Sequence, residues 1–74
     1  MNLIEIRNKL KDCRKEIVSG HMSFSREPKT INVKTKKENF VCARIIIYSF
    51  AITLISVDKY KVFEVEYKDI IDIQ

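Results

Sequence analysis

Few residues in this chain have the types and spacing that catalysis or metal binding requires. The single histidine, His21, has no partner at the short Cys or His spacing of a zinc site. Cys13 and Cys42 each lie among apolar residues, where a free cysteine usually packs as a small hydrophobe. The spacing leaves a Cys–His nucleophile pair open, but nothing else in the sequence supports its geometry. We therefore expect a protein that is not an enzyme and that carries no metal and no cofactor.

Basic residues offer a second chemistry, the attraction of phosphate groups. Arg7, Lys11 and Arg14 recur at intervals of four and three, which on a helix places them along one ridge. Further basic residues flank this ridge or follow it along the chain: Lys15, Arg26, Lys29, Lys34, Lys36 and Lys37. Such clusters bind nucleic acid by releasing counterions, without recognising its sequence. These residues are therefore predicted to bind nucleic acid, and a solvated surface of mixed charge is the alternative.

Aromatic side chains can add base-stacking surfaces to a basic patch. The candidates for this part of the binding site are three aromatic residues and a neighbouring lysine: Tyr48, Phe50, Tyr67 and Lys68. The alternative is that each ring packs in the core, which we expect for most aromatic residues of so small a domain. Phe24 and Tyr60 lie near predicted turns and are expected to be exposed.

Charge is divided unevenly along the chain. The 74 residues carry a net charge of +4. Residues 1–37 hold ten basic and four acidic side chains, whereas residues 38–74 hold four basic and six acidic ones. With 46% hydrophobic residues the chain can fold as a single small domain, residues 1–74, and its length excludes a multidomain enzyme. The basic first half indicates an anionic partner that meets one face of this domain.

The first part of the chain is predicted to be helical. Apolar residues at intervals of three or four predict an amphipathic helix over residues 2–18, with its buried face formed by Leu3, Ile6, Leu10, Cys13 and Ile17. Asn2 and Glu5 have the spacing of a capping box, and Gly20 that of a helix C-cap. Residues 19–29 have no clear period, so they are interpreted as a connector.

From residue 30 onward the pattern changes from a helical period to a strand period. Apolar and polar residues alternate, and short polar turns separate the apolar segments. The predicted fold class is therefore α+β and mostly β. In this prediction the N-terminal amphipathic helix precedes a small, strongly bent, five-stranded antiparallel barrel over residues 30–74.

No segment of the sequence predicts export or membrane insertion. The first residues alternate between charged and apolar types, where a secretory signal needs an unbroken apolar region. The longest apolar stretch, residues 45–57, is shorter than the roughly 18–20 residues of a membrane-spanning helix. We therefore expect a cytoplasmic protein with no membrane contact and with both cysteines reduced.

The second half of the sequence resembles a known family. A bend at Tyr48-Ser49-Phe50-Ala51 precedes the strand Ile52-Thr53-Leu54-Ile55-Ser56-Val57, a turn, and then Phe63-Glu64-Val65-Glu66-Tyr67-Lys68-Asp69-Ile70-Ile71. This order is similar to that of an Sm-like barrel, over about residues 30–74. The Hfq-like members resemble it in particular, since their N-terminal helix precedes five bent strands. Residues 66–73 also resemble the end of YolD-like proteins, for which a small Sm/SH3-like barrel is expected.

The sequence departs from the Sm-like pattern at three positions. Ala43 takes the place of the glycine at which the second strand of the family bends sharply. Ser49 replaces the aspartate that follows the bend aromatic. Asp69 replaces the histidine of the Hfq-like Tyr-Lys-His step, and its negative charge is unfavourable beside phosphate. The resemblance therefore supports the barrel more strongly than a uridine pocket of the Hfq kind.

Two functions from different classes are compatible with these observations. The first is a non-enzymatic Sm-like module that binds nucleic acid, RNA in preference to DNA, through a basic helix face and hairpin. The second is a small interaction module, encoded by a phage or mobile element, that binds an acidic protein surface and modulates or inhibits a larger host protein. Open sheet edges, including the strand near residues 60–66, also predict a homo-oligomer.

Overall fold

Seven β-strands and one short helix make up the fold, in a computed structural model that describes residues 1–74. In chain order the elements are α1 (Leu3–Lys9), β1 (Arg14–Val18), β2 (His21–Ser25), β3 (Ile31–Thr35), β4 (Asn39–Ile47), β5 (Ala51–Ser56), β6 (Val62–Glu66), a 3-10 turn (Tyr67–Asp69) and β7 (Ile70–Ile73). All strand pairs are antiparallel, which confirms the prediction of a mostly β domain with a helix at its start. No helix has the length and apolar character needed to cross a membrane.

α1 begins as the sequence predicts but ends early, at Lys9. The backbone N–H of Glu5 donates to Asn2 Oδ1 at 2.9 Å, and the backbone N–H of Asn2 donates to Glu5 Oε1 at 3.0 Å. These two hydrogen bonds complete the predicted capping box. A helix of seven residues is too short to be stable by itself, so packing against the sheet must hold it. Ile6 and Leu10 provide that packing, since both side chains are fully buried.

The second part of the predicted helix over residues 2–18 is a strand. Arg14–Val18 forms β1, which pairs with β2 in antiparallel register. Residues 19–29, predicted to be a connector, contain the turn between these strands and the whole of β2. Ile17 therefore lies on an edge strand and is 64% exposed. Backbone pairing with β2 outweighs the helical spacing, because helix propensity is weak beside a tertiary partner.

A two-residue turn joins β1 to β2 and accounts for the single glycine of the chain. Ser19 and Gly20 both have positive φ angles, 51° and 80°, as a type I′ hairpin turn requires. The prediction of a helix cap at Gly20 is therefore wrong, although the residue does adopt the left-handed conformation. With this hairpin the sheet has seven strands, where the sequence predicts five.

β4 is the central strand of the sheet and changes partners along its length. Along one edge of β4, residues 39–42 pair with β3 and residues 44–46 pair with β2. Along the other edge, residues 42–47 pair with β5. A bulge lies between Cys42 and Arg44, where Ala43 has no partner on β5. β6 pairs with β5 alone and β7 with β3 alone. The sheet is therefore not closed, and β1, β6 and β7 are its edge strands.

One hydrophobic core connects α1 to the sheet. It contains 13 buried residues: Ile6, Leu10, Cys13, Phe24, Ile31, Val33, Cys42, Ile45, Ile47, Ile52, Leu54, Ile70 and Ile73. Along β3 the predicted alternation is confirmed, because Ile31, Val33 and Thr35 are buried whereas Asn32 and Lys34 are exposed. Fully burying an Ile or Leu side chain contributes about 1.5–3 kcal/mol. The core thus determines which face of each strand carries polar residues to the surface.

Candidate functional site

A polar cleft lies on the outer face of β1, β2 and β4. It has a volume of about 530 Å³, and no hydrophobic residue lines it. Seven residues form what we call the hairpin cleft: Arg14, Lys15, Glu16, Ser23, Ser25, Glu27 and Arg44. Charged and hydroxyl groups that leave bulk water need strong hydrogen-bond partners. A cleft lined by them alone is therefore suited to a charged ligand.

Strand register aligns two arginines of this cleft on either side of a serine. Arg14 on β1 lies opposite Ser25 on β2, and Ser25 lies opposite Arg44 on β4. Directly opposed residues of antiparallel strands have Cβ atoms about 4.5–5.5 Å apart. The two long side chains therefore flank a short one that is only 7% exposed. We call this row of three residues the notch, with Ser25 at its floor and a guanidinium group on each wall.

Both arginines of the notch have hydrogen-bond acceptors within the cleft. Arg44 forms an ion pair with Glu16 and also donates from Nη1 to Ser23 Oγ at 3.1 Å. The Arg14 guanidinium donates to the backbone carbonyl of Glu27. The Glu16 side chain is 59% exposed, and ion pairs at the solvent boundary contribute only about 0–1 kcal/mol. The pair between Arg44 and Glu16 is therefore weak enough for another anion to replace the carboxylate.

A second groove continues the hairpin cleft towards the turn that follows β2. It has a volume of about 340 Å³ and shares Arg14, Ser25 and Glu27 with the cleft. The rest of its lining consists of Asp12, Arg26, Pro28 and Lys29. Together the two grooves are lined by five basic and three acidic side chains. This excess of positive charge favours an anionic ligand.

Arg26 lies in the second groove, but its guanidinium is engaged by the protein itself. Nε donates to Asp12 Oδ1 at 3.2 Å, and the Nη atoms donate to the backbone carbonyls of Lys9 at 2.9 Å and Gln74 at 2.6 Å. The side chain is 14% exposed. Arg26 therefore ties the end of α1 to the last strand, and little of it is left to contact a phosphate.

The predicted helical ridge of Arg7, Lys11 and Arg14 does not form, because α1 ends before two of these residues. Arg7 is exposed on α1, Lys11 lies in the turn after it, and Arg14 begins β1. Lys15 borders the hairpin cleft, but its Nζ lies 5.8 Å from the centre of the Phe24 ring and donates to the Lys11 carbonyl at 3.3 Å. Of the residues predicted for this ridge, only Arg14 lines the cleft.

The remaining predicted lysines lie at three different places. Lys29 is exposed at the rim of the second groove, next to the hairpin cleft. Lys34 is exposed on β3, and Lys36 is exposed in the turn that follows. Lys37 and Lys68 line a separate groove that is described below. The basic residues that the sequence grouped together are therefore dispersed, and Lys29 is the only one of these five near the cleft.

The three predicted stacking residues lie near the connection between β4 and β5, outside the hairpin cleft. The Tyr67 hydroxyl donates to the backbone carbonyl of Tyr48. Burial raises the pKa of this hydroxyl, and the positive charge of Arg7 partly offsets the rise. The Tyr48 ring packs against the ring of His21, with 4.2 Å between the ring centres. Phe50 is 70% exposed, so of the three it has the ring most open to a base.

The two aromatic residues that were expected to be exposed have opposite environments. Tyr60 is 90% exposed, which confirms the prediction. Phe24 is 2% exposed, so the prediction is wrong for this residue. The reason is that Phe24 lies on β2, opposite Ile45 of the central strand, and its ring points into the core.

A third groove, of about 540 Å³, contains two aromatic rings and a surplus of acidic residues. Phe40 and Phe63 meet in it, with their ring centres 5.0 Å apart. Its charged residues are Lys37, Glu38, Glu64, Glu66, Lys68 and Asp69. Glu38, Glu64 and Asp69 are the only acidic residues of the chain whose side chains form neither an ion pair nor a hydrogen bond. This aromatic groove therefore favours a cationic ligand, the opposite of the hairpin cleft.

Sequence reasoning did not identify five residues of the hairpin cleft: Glu16, Ser23, Ser25, Glu27 and Arg44. Arg44 is the one charged residue in the apolar segment 40–47. Because a charged side chain on such a strand must point away from the core, this pattern could have indicated that Arg44 lies on the outer face. Ser23 and Ser25 flank Phe24 with the two-residue period of a strand. That signal covers only three residues, so it was too short to distinguish β2 from a connector.

The environments of the two cysteines disfavour the thiolate form. Both are free thiols and both are buried in the core. Burial raises the pKa of the Cys42 thiol to about 11 and also raises the pKa of the Cys13 thiol, where the positive charge of Arg26 partly opposes it. Since the thiolate is the reactive form, these environments suppress thiol reactivity. No three His, Cys, Asp or Glu side chains are grouped so that they could hold a metal ion.

No family model, curated protein or solved structure matches this chain.

Proposed function

We propose that this protein is a non-enzymatic module that binds the phosphate backbone of a nucleic acid through the hairpin cleft. The observation that carries the proposal is the notch, in which strand register holds Arg14 and Arg44 on either side of Ser25. Guanidinium groups keep their charge at all physiological pH values and bind phosphate oxygens in pairs. Lys29 extends the positive surface along the second groove.

Single-stranded RNA is the class of nucleic acid that we propose as the ligand. Unpaired bases can stack on exposed aromatic rings, and single-stranded RNA is recognised largely in this way. Phe50 is 70% exposed and Tyr60 is 90% exposed, so both rings are open to a base. The phosphates would bind in the hairpin cleft while bases stack at such rings.

The architecture of β3 to β7 supports an Sm-like, barrel-like fold for this part of the chain. These elements are five antiparallel strands, the number that the resemblance implies. The second of them, β4, has its bulge at Ala43, where the family bends at a glycine. The hairpin of β1 and β2 is an addition to this five-stranded unit. In our proposal the addition supplies most of the binding surface.

The step Tyr67-Lys68-Asp69 is not part of the proposed interface. Asp69 and Glu64 line the aromatic groove, and their negative charge repels phosphate. Lys68 is paired with Glu66 at 3.3 Å, which further reduces its attraction for an anion. We therefore place the phosphate contacts on the hairpin instead of the position that the resemblance to Hfq-like proteins implies.

Chemical-shift mapping by NMR tests where a nucleic acid binds. Addition of a single-stranded RNA oligonucleotide should shift the amide signals of Arg14–Val18 and His21–Ser25 and the signal of Arg44. The signals of Phe40 and Phe63, in the aromatic groove, should change least. Shifts centred on the aromatic groove, or no shifts at saturating RNA, would contradict the proposal.

The aromatic groove supports a second candidate function, a protein-interaction module. Glu38, Glu64 and Asp69 are unpaired, and the neighbouring Phe63 ring is 38% exposed. A Lys or Arg side chain of a partner could pair with these carboxylates and lie over the ring. In the same NMR experiment this function predicts that an arginine-rich peptide shifts the signals of the aromatic groove, and that RNA shifts none.

We further propose that the protein self-associates through β6. This strand pairs with β5 alone, so its other edge has free backbone N–H and C=O groups that can pair with a second copy. Val62 on this strand is 63% exposed, so an apolar side chain lies beside the free edge. Light scattering at micromolar concentration should report the mass of a dimer or larger assembly, and a monomer mass would contradict self-association.

We place the protein in the cytoplasm. Cys13 and Cys42 are both free and buried, and thiols persist without pairing in a reducing compartment.

A further inference from the structure

The ion pair between Arg44 and Glu16 marks a particular ligand position inside the hairpin cleft. The Glu16 carboxylate accepts from Arg44 Nη1, and the same nitrogen donates to Ser23 Oγ at 3.1 Å. An anionic oxygen is thus already bound to one wall of the notch, next to a serine hydroxyl. Phosphate oxygens use the same donors, since both carboxylate and phosphate pair with the guanidinium fork.

We propose that Glu16 is an internal competitor for a phosphate-binding position, and that a phosphate diester of a nucleic acid takes the place of its carboxylate. The inference rests on the proposed function, and it adds the position of one phosphate and the residue that competes with it. The phosphate would lie over Ser25, between the guanidinium groups of Arg14 and Arg44. The Glu16 side chain would rotate into solvent, which β1 permits because it is an edge strand.

Two serine hydroxyls support an anion at this position. Ser23 is 1% exposed and Ser25 is 7% exposed, so both are withdrawn from bulk solvent. Ser23 Oγ accepts from Arg44 Nη1, and Ser25 Oγ accepts from the Glu27 amide at 3.1 Å. Neither hydroxyl donates to any protein acceptor, so each keeps its O–H for an anionic oxygen. Two buried donors beside two guanidinium groups match the several acceptor oxygens of a phosphate.

The charges around the notch favour exchange of the carboxylate for a phosphate. The Glu27 carboxylate is paired with Lys59 at 3.4 Å, so its charge is partly balanced. The Arg14 guanidinium has only a backbone carbonyl as its acceptor. A phosphate can bridge Arg14 and Arg44, whereas the single carboxylate of Glu16 pairs with Arg44 alone. The phosphate therefore gains a charged contact that Glu16 does not make.

Removal of the competitor should strengthen binding. With single-stranded RNA as the probe, Glu16→Gln should lower the dissociation constant by up to about fivefold, since the ion pair that it removes contributes at most about 1 kcal/mol and about 1.4 kcal/mol is tenfold in affinity. Glu64→Gln is the matched control, because it makes the same change of charge on β6, a different edge strand that does not pair with β1, β2 or β4. Its effect should be within about twofold of wild type. Equal gains in both variants would overturn the inference while leaving RNA binding intact.

The role of Arg44 supplies a second, independent readout. In the Arg44→Gln background, the additional change Glu16→Gln should no longer improve RNA binding, because the guanidinium for which Glu16 competes is gone. Thermal unfolding of each variant checks that the fold is retained. The same gain from Glu16→Gln without Arg44 as with it would show that Glu16 acts by general charge, and would overturn the inference.

Inorganic phosphate distinguishes failure of the inference from failure of the proposed function. It should shift the NMR signals of Ser25 and Arg44, and it should do so at lower concentration in Glu16→Gln than in wild type. Binding of inorganic phosphate without any RNA binding would contradict the proposed function and support the phosphate position. Absence of binding for both probes, in wild type and in Glu16→Gln, would overturn both.

Discussion

Arg14 and Arg26 are both basic residues beside the hairpin, yet their surroundings give them different roles. The Arg26 guanidinium has three acceptors, from Asp12 and from the backbone of Lys9 and Gln74. Arg14 has one backbone acceptor and lies at the edge of the sheet. Charge and position in the sequence do not distinguish the two. Only the fold determines which guanidinium is available to a ligand.

Replacement of Arg26 should destabilise the protein. Arg26→Gln leaves Asp12 and two backbone carbonyls without their donor, and hydrogen bonds to charged groups contribute about 1.5–3 kcal/mol each. We expect the free energy of unfolding, measured by urea denaturation, to fall by about 2–3 kcal/mol. Lys29→Gln is the control, since Lys29 is exposed and its side chain has no partner; it should change stability by less than about 0.5 kcal/mol. Equal effects of the two changes would contradict the structural role of Arg26.

The buried thiol of Cys42 should make the fold sensitive to alkaline pH. Its pKa in the folded protein is about 11, above the ordinary value of 9.0, because burial disfavours the thiolate. A raised pKa contributes fully to stability below the unfolded value, and the contribution is lost as pH rises through the folded value. We expect the free energy of unfolding to fall by about 2 kcal/mol between pH 9 and pH 11 from this thiol. Urea denaturation across this range should show a smaller fall for Cys42→Ala, and an equal fall would contradict the assignment.

Among the secondary-structure elements, the strands that the sequence predicts are those with alternating or continuous apolar residues. β3 alternates buried and exposed residues, and β4 carries three consecutive isoleucines, so both follow from the sequence pattern. β1 does not, because four of its five residues are exposed and none is buried. The helical spacing of the apolar residues from Leu3 to Cys13 continues to Ile17, so the sequence pattern predicts a helix where β1 forms. Pairing with β2, a tertiary contact, determines its actual conformation.

The candidate site could be predicted only in part, for the same reason. Four residues that were expected to bind nucleic acid line the two grooves: Arg14, Lys15, Arg26 and Lys29. Ser25 and Arg44 were not identified, since they are 19 positions apart and meet only through strand register. A site that is assembled by pairing of β1, β2 and β4 cannot be located while β1 and β2 are interpreted as helix and connector.

The turn of the hairpin provides a test at the scale of the element. Gly20 has φ 80°, and a Cβ atom added there would meet no other atom within 4 Å. Gly20→Ala should therefore destabilise the protein through backbone conformation alone, by about 1–2 kcal/mol. Ser19→Asn should stabilise it by a few tenths of a kcal/mol, because asparagine tolerates positive φ. Thermal unfolding of both variants checks this, and a loss of stability in Ser19→Asn would contradict the turn assignment.

At the scale of the whole molecule, opposite charges collect in different grooves. The two grooves beside the hairpin are lined by five basic and three acidic residues, and the aromatic groove by four acidic and two basic ones. The net charge of +4 is therefore unevenly distributed, so that one face attracts anions and another attracts cations. Such a charge distribution orients an approaching polyanion. A nucleic acid should meet the hairpin and not the aromatic groove.

The salt dependence of RNA binding tests the central claim most directly. Two triple variants remove the same charge from different places. One removes it beside the hairpin: Arg14→Gln, Lys29→Gln and Arg44→Gln. The other removes it on β3 and the following turn: Lys34→Gln, Lys36→Gln and Lys37→Gln.

Fluorescence anisotropy with a labelled single-stranded RNA gives the slope of log affinity against log salt concentration for each protein. The slope is negative, and each lost phosphate contact should make it less steep by about 0.7. The slope of the hairpin variant should therefore be less steep than that of wild type by about 2, and the slope of the control variant should change much less. Equal slopes in the two variants, or a wild-type affinity that does not change with salt, would contradict nucleic-acid binding at the hairpin cleft.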